Sequence, residues 1–421
     1  MAVERKDPAL RVLMINQVFY PDVAATAQHA HDLGRSLVAS GHEVSIIASR
    51  ALYGQKGAAL SAYEEIDGIK VYRVGRSFFG KSSIWARVFD FGYFYFAATV
   101  KAIILRRHDV SICFTTPPFI ALLGWFLRLL KRTKMVYWVM DLYPDLPVAC
   151  GLMREGTWST RFFEAINRFC LRRANAVVAL GRCMRDRILT KGIENDQVQI
   201  IGVWTDSEEV KPIPRQDNSY RNEWGIENRF LVMYSGNFGL GHDVDTFLLA
   251  AQRLQDDDRI RFAFVGGGKK KSIVEDFVNQ HQLRNAVLAP YQPRESLDEL
   301  LSAADCHLVS LLVGVEGIMV PCKLFGILAA ARPALFIGAE QSEISQVIRD
   351  DACGSTVDEG DVDALVKAIL SYADDPALAR RQGDAGRTAL IEKHATVHRC
   401  AAWENLLKSV VGQPESEALG A

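Results

Sequence analysis

Short, β-rich apolar runs alternate with amphipathic stretches along almost all of this 421-residue chain, and no other feature restricts its fold as much. Short apolar runs bounded by turn residues read as strands buried on both faces, and the amphipathic stretches between them read as crossover helices. Strands are expected at 11–16, 44–48, 109–114, 134–139, 176–180 and 198–201. A helical pattern from about Thr26 to Ser40, closed by Gly41, links the first two. At residues 211–219 the text changes to KPIPRQDNS, rich in proline and polar residues and without periodicity, which marks a linker. The alternation then restarts, with strands expected at 230–235, 261–265, 286–288, 306–310 and 334–337. The expected class is α/β, with two doubly wound, Rossmann-like domains at 1–205 and 221–396 joined by a linker at 206–220. In such sheets ligands bind outside the carboxyl ends of the strands.

Composition removes several function classes. Lys and Arg number 49 against 50 Asp and Glu, so no overall field draws the chain to nucleic acid. The eight cysteines form no C-x-x-C pair and no zinc-ligand spacing, and scattered single thiols suit a reducing cytosol. The N-terminal text MAVERKDPAL lacks the apolar region of a signal peptide, so a cytoplasmic location is expected.

The near-neutral total hides an uneven distribution. Residues 70–134 hold 12 Lys and Arg but only two acids, Asp90 and Asp109. Interleaved are Trp85, Phe89, Phe91, Tyr93, Phe94, Tyr95 and Phe96, then the apolar run 119–130. Asp90 and Lys101 interrupt the first run and the second is short, so neither suits a membrane span. One reading is a core helix with a solvated basic face. The other is a surface at 84–134 that leans on anionic lipid, with rings at headgroup depth and cations toward phosphate.

Four segments could carry chemistry. Tyr234-Ser235-Gly236-Asn237-Phe238-Gly239-Leu240-Gly241-His242-Asp243 follows a strand and precedes a helix, where glycines let backbone N–H groups approach a phosphate. Its spacing is not G-x-G-x-x-G, which disfavours a dinucleotide, and a plain tight turn is the competing reading. Gly266-Gly267-Gly268 runs into Lys269-Lys270-Lys271, of which at most one is expected to point inward toward a diphosphate. In Glu316-Gly317-Ile318-Met319-Val320-Pro321-Cys322-Lys323-Leu324, the Gly-flanked Glu316 can take sugar hydroxyls, and Pro321 suits a helix start. Lys323 then falls in the first helical turn, where a phosphate would sit. In the first half, Asp141 lies just past a strand as a candidate acid/base or hydroxyl-orienting group, followed by Tyr143, Pro144 and Asp145 in a turn. Asp145 reads equally as a helix cap. The small residues Ala24, Ala25 and Thr26 open the first helix and permit close approach of a ligand. The D-x-D matches at Asp243 and Asp361 both open helices and read as caps. Metal-ligand, Walker and nucleophile-elbow patterns are absent from the sequence, and His29 and His31 cannot share a helix face.

Taken in order, Phe19-Tyr20-Pro21-Asp22, Gly41-His42-Glu43-Val44, Asp141-Leu142-Tyr143-Pro144, Tyr234-Ser235-Gly236-Asn237, Gly266-Gly267-Gly268 and the Glu316 segment resemble the family 4 retaining glycosyltransferases of the GT-B fold. The likeness is greatest to the WbuB-like enzymes of bacterial surface polysaccharide synthesis. It implies a nucleoside-diphosphate sugar, UDP-linked by expectation, held by the second domain and a lipid-linked or glycan acceptor held by the first. It implies no metal and no cofactor, the nucleotide sugar being a substrate. It also implies a helix at about 397–411 packing back on the first domain, and attachment to the inner face of the cytoplasmic membrane. Carried over, Glu316 contacts the donor sugar, Gly236, Asn237 and Gly239 line the phosphate turn, and Tyr291 passes the nucleobase. Pro321, Lys323 and Leu324 complete the donor side, Asp141 orients the acceptor hydroxyl, and Ala25, Thr26 and Asp145 lie on the acceptor side. The chain departs from the family at three places. Gly326, or Leu324 in an ungapped alignment, replaces the second glutamate, Ala24-Ala25 replaces Gly-Gly, and the phosphate turn lacks its Arg and Lys. Lys323 and one of Lys269–Lys271 are expected to restore that charge, with Lys269 counted among the donor-binding residues. An epimerase on the same fold and a non-catalytic partner protein remain alternatives at this level.

Overall fold

The computed structural model describes residues 8–22, 24–51, 60–75, 84–226 and 228–412. Residues 1–7, Arg76, Lys81 and the side chains of Trp85, Arg87 and Phe89 lie outside the described residues. The first sheet is built from β1 (Arg11–Ile15), β2 (Glu43–Ser49), β3 (Tyr63–Ile66), β4 (Ile69–Val74), β5 (Val110–Cys113), β6 (Lys134–Trp138), β7 (Ala176–Ala179) and β8 (Val198–Ile200). Its order is β3-β4-β2-β1-β5-β6-β7-β8, parallel throughout except for the β3–β4 pair. The second sheet contains β9 (Phe230–Asn237), β10 (Ile260–Gly267), β11 (Ala286–Ala289), β12 (Cys306–Ser310), β13 (Ala334–Ile337) and β14 (Gly354–Val357), in the order β11-β10-β9-β12-β13-β14. Counted from its own first strand, the second sheet runs 3-2-1-4-5-6, the doubly wound order that reverses direction between its first and fourth strands. The first sheet repeats that order once the β3 arm is set aside, with β8 added at the far edge.

Most positions of the inner strands are buried, as strands covered by helices on both faces must be. In β5, β7, β12 and β13 every residue is buried. Each expected strand is present within one or two residues. The β3–β4 hairpin and β14 were not anticipated. Asp67 and Gly68, both at positive φ, form the two-residue turn between Ile66 and Ile69, so an Asp-Gly hairpin signal stood in the text. β14 is a short edge strand, half-buried at three of its four positions, and lacks a strong apolar run.

The last helix, Thr396–Gly412, returns to the first sheet and packs on the helix Ala25–Ala39. Glu404 accepts hydrogen bonds from Ser40 Oγ at 2.8 Å and His42 Nε2 at 3.3 Å. Trp403, fully buried, packs on Trp138 of β6 at 4.5 Å between ring centroids, and Trp204 stacks on the same Trp138 at 5.6 Å. The chain crosses between the sheets twice, and the crossings are paired by a parallel bridge between Thr205 and Ala395. Trp403→Ala is expected to cost about 3–5 kcal/mol. That loss is read as a lowered urea midpoint, and an unchanged midpoint contradicts this role for the helix.

Candidate functional site

The carboxyl edges of the two sheets meet. Past β6, the backbone N–H of Leu142 donates to the Ile318 carbonyl at 2.9 Å, and Asp141 pairs with Met319 as an antiparallel bridge. Past β7, the helix Arg182–Thr190 presents its N-terminus to the loop after β13. Glu343 accepts from the Arg182 backbone N–H at 2.6 Å, and Arg182 Nη1 pairs with Asp350 at 2.7 Å. Cys183 Sγ donates to the Gln341 carbonyl at 3.0 Å. The packing is close enough that a Cβ on Gly181 would lie 2.4 Å from Glu343, and one on Gly317 2.6 Å from the Cys183 carbonyl. Asp141 and the Glu316 loop, 175 residues apart in the chain, are thereby brought together.

On the second sheet the site sits where strand order reverses, between β9 and β12. Gly236 and Gly266 end neighbouring strands at φ +126° and +133°, and a Cβ on Gly266 would lie 2.0 Å from the Gly236 carbonyl. Only glycine permits that approach, and it leaves the strand ends clear of side chains. The loop after β9 is pinned from several sides. Lys270 Nζ donates to the His242 carbonyl at 2.6 Å, Leu312 N–H to the Gly241 carbonyl at 2.9 Å, and Ser310 Oγ to the Asp243 carbonyl at 2.6 Å. His242 Nδ1 lies 2.6 Å from the Ser310 carbonyl, and burial, reinforced by Lys323, pushes the imidazole down to about 3. The ring is neutral and serves as a wall of the loop. Asp243 caps the following helix through Thr246 N–H at 3.3 Å, and Asp361 likewise caps its own through Ala364 N–H at 2.8 Å.

Lys323 opens the helix Lys323–Ala329 beside Gly236, with its Nζ buried, free of any hydrogen-bond partner, and 3.5 Å above the centre of the Tyr234 ring. Burial drives this ammonium well below the usual lysine range. Burial without a counter-ion disfavours the charge on this amine, and an anion arriving beside it restores the charge and is held by it. In the loop after β12, whose Val315 and Met319 side chains approach Gly241, one carboxylate oxygen of Glu316, Oε2, is also buried without a partner. Tyr291 lies over Gly267, its hydroxyl donating to the Gly267 carbonyl at 3.3 Å, so an exposed ring flanks the end of β10. Asn237 is exposed beside Gly239 and Gly268. Pro321 is buried just ahead of the helix.

Three expectations change. Of the three lysines, Lys270 reaches inward, while Lys269 is exposed and Lys271 pairs with Glu275. Leu324 is fully buried in the hydrophobic core, so it offers nothing to a ribose, and Gly326 brings no carboxylate there either. Asp145 starts a short helix with both carboxylate oxygens occupied, by Arg187 at 2.9 Å and Lys191 at 2.8 Å. It is a packing ion pair of the first half and leaves no lone oxygen aimed at an acceptor. Ala25 and Thr26 form the first turn of their helix, the former exposed and the latter half-buried. Tyr234 and His242 carry more of the site than the sequence pattern indicated, since what singles them out is contact with Lys323 and Ser310.

Asp141 is held by its backbone N–H, which donates to Thr115 Oγ1 at 3.2 Å, and no cation pairs with it among the described residues. Desolvation raises its carboxyl to about 6.

Two facing doubly wound sheets with an anion-ready switch point define the GT-B class. A glycosyl transferase 4-like domain matches residues 25–204, and a glycosyl transferases group 1 domain matches residues 216–389. A protein named as the colanic acid biosynthesis glycosyl transferase WcaI of Escherichia coli (strain K12) is 25% identical over 414 residues, 96% of this chain and 98% of its own. Among solved structures, sucrose-phosphate synthase of Thermosynechococcus elongatus superposes with a TM-score of 0.77 at 15% identity, covering 95% of this chain and 99% of that one. Anabaena HepE in complex with UDP-glucose gives 0.72 at 13%, covering 95% and 100%. The chain belongs to glycosyltransferase family 4 and is a GT-B glycosyltransferase.

The sign of the Asp141 shift yields a test. Its carboxyl titrates near 3.8 when unfolded and near 6 when folded, so the native state favours the protonated form. That contribution is complete below 3.8 and is lost as pH rises through 6, leaving a cost of about 3 kcal/mol at pH 8. Asp141→Asn is therefore expected to raise the melting temperature at pH 8 by more than at pH 5. A variant less stable than the parent at pH 8 contradicts the burial argument.

Proposed function

We propose that the protein transfers a hexosyl or N-acetylhexosaminyl group, with retention, from a UDP-sugar to a lipid-linked or growing glycan acceptor in bacterial surface polysaccharide synthesis. The observation that carries this reading is two buried, unpartnered groups on the segment that follows β12, the Lys323 amine beside Gly236 and a Glu316 carboxylate oxygen. The first matches a diphosphate and the second a sugar hydroxyl. The UDP-glucose held by HepE and the colanic acid named for WcaI support the donor and pathway classes.

In this mechanism the diphosphate leaves from the face that the acceptor attacks, so the leaving oxygens need stabilisation more than the nucleophile needs a strong base. Lys323 and the backbone N–H groups of the turn supply it. Glu316 fixes the sugar, and Asp141 orients the acceptor hydroxyl while its proton passes to the departing phosphate. No metal or cofactor is required by these roles. Contacts between the sheet edges at Leu142–Ile318 and Arg182–Glu343 close the site against water.

UDP in EDTA is expected to raise the melting temperature, with stabilisation near 2.7 kcal/mol at one hundred times Kd. Lys323→Met should reduce both that shift and turnover at least tenfold, and an unaffected variant removes the lysine from the site. Product analysis separates the alternatives. An epimer formed from donor alone identifies an epimerase, and binding without turnover identifies a partner protein.

The acceptor reading also places the enzyme at a cytoplasmic membrane face. The helix Ile84–Ile104 buries Phe94, Ala98 and Ala102 yet turns Tyr93, Phe96, Val100, Ile103 and Ile104 outward, with Phe96 69% and Ile104 72% exposed. The helix Ala121–Lys131 adds exposed Phe126, Leu129 and Leu130. No helix among the described residues is long and apolar enough to cross a membrane. Basic residues bordering an apolar face support peripheral attachment through 84–134. The protein is expected to pellet with anionic vesicles at low salt and to be released as salt rises, and its absence from low-salt pellets contradicts the attachment.

A further inference from the structure

A row of aromatic rings leads from the outer surface of the first half to the site. It begins at Trp158, 80% exposed at the start of the helix Trp158–Arg173, and continues to Phe162, 54% exposed. From there it passes to Phe163, then Phe119, and ends at Tyr143, two residues beyond Asp141. Successive centroids are 6.3, 5.6, 5.5 and 6.4 Å apart. Phe119 holds φ +67°, a conformation rare for a bulky residue, and its ring lies parallel to Phe163 at 8°. None of these residues belongs to the basic stretch expected to meet lipid except Phe119, and the helix itself lies outside 84–134.

We infer that this row seats the apolar chain of a lipid-linked acceptor, an isoprenoid or acyl chain running along the rings from Trp158 to Tyr143 so that its charged end arrives at the Asp141 loop. The inference rests on the lipid-linked form of the acceptor reading above. Three observations select hydrocarbon as the occupant. The row continues the outward apolar face, because Trp125 and Phe169 join the helices Ala121–Lys131 and Trp158–Arg173 at 4.9 Å. Exposed Arg154 and Arg161 flank its outer end, as suits an anionic headgroup layer. The interplanar angles are 51°, 59°, 8° and 68°, so only one pair is parallel and the rings form an irregular apolar surface and not a series of parallel platforms for sugar rings. Trp and Phe that stay exposed while their neighbours grade into the interior match a chain that enters from a membrane.

The test uses geranylgeranyl phosphate below its micellar concentration, with inorganic phosphate as the chainless control, on the full chain and on Trp158→Ala/Phe162→Ala. Both positions are exposed, so the double variant is expected to keep the parent melting temperature and the UDP-induced shift. The parent should bind geranylgeranyl phosphate at least tenfold more tightly than phosphate, and the double variant should lose that preference at least tenfold while still pelleting with 4:1 phosphatidylcholine–phosphatidylglycerol vesicles. Equal binding of the isoprenoid by parent and variant overturns the inference. So does loss of vesicle pelleting with isoprenoid binding intact, which makes the helix a membrane contact only. With maltoheptaose as a third probe, a double variant that loses binding of the oligosaccharide while keeping the isoprenoid overturns it in favour of a glycan platform. A parent that ignores the isoprenoid chain while UDP still stabilises it overturns the chain seat and leaves the donor reading standing.

Discussion

Parallel pairing puts all the carboxyl ends of a sheet on one edge, and both sheets here turn that edge toward the other half of the chain. Loops after β6 and β7 therefore touch loops after β12 and β13, through Leu142–Ile318 and Arg182–Glu343. Everything chemical depends on this meeting. No cation pairs with Asp141 among the described residues, and the backbone bridge at Met319 sets its loop in register with the Glu316 loop. Side chains on loops are positioned here by strand ends held rigid beneath them.

Electrostatics is organised by withholding partners. The surface holds many ion pairs, and the Asp145–Arg187–Lys191–Glu164 group shows that the fold readily satisfies charges even when they are half-buried. Lys323 Nζ and Glu316 Oε2 are left without partners in the same molecule, as are buried groups away from the sheet edges such as Asn167 and the Trp403 indole. A buried polar group without a bond is costly to stability, so its persistence at a strand-order switch fits a site that completes itself with substrate. Tyr234 lessens the penalty by offering its ring face to the ammonium.

Much of the architecture was legible because it depends on local pattern. Full burial makes strands such as β12 and β13 continuous apolar words, and the Pro-rich stretch before β9 interrupts a periodic text. The β3–β4 hairpin alternates in exposure and forms no such word. Site residues were legible as types at positions, which is why the glycines, Lys323 and Glu316 stood out. Their surroundings were not. Asp145 reads as a free turn acid until Arg187 and Lys191, more than forty residues later, close on it. Leu324 follows an aligned column, while helix geometry rotates it into the core one residue past Lys323. Lys269 and Lys270 are indistinguishable in text, and the backbone turn alone decides which one reaches His242.

The position of the last helix bears on how the molecule is made. Trp403 covers Trp138, a residue of the central part of the first sheet, and it leaves the ribosome only after the whole second half has been synthesised. During translation the first half must therefore wait with that ring and the flank of the Ala25–Ala39 helix uncovered. N-terminal domains commonly finish folding while the rest of the chain is still emerging. Here the order is closed into a circle, so that a strand of the first sheet is sealed by a helix made after the second, and a chain that stops before that helix leaves the first half unfinished.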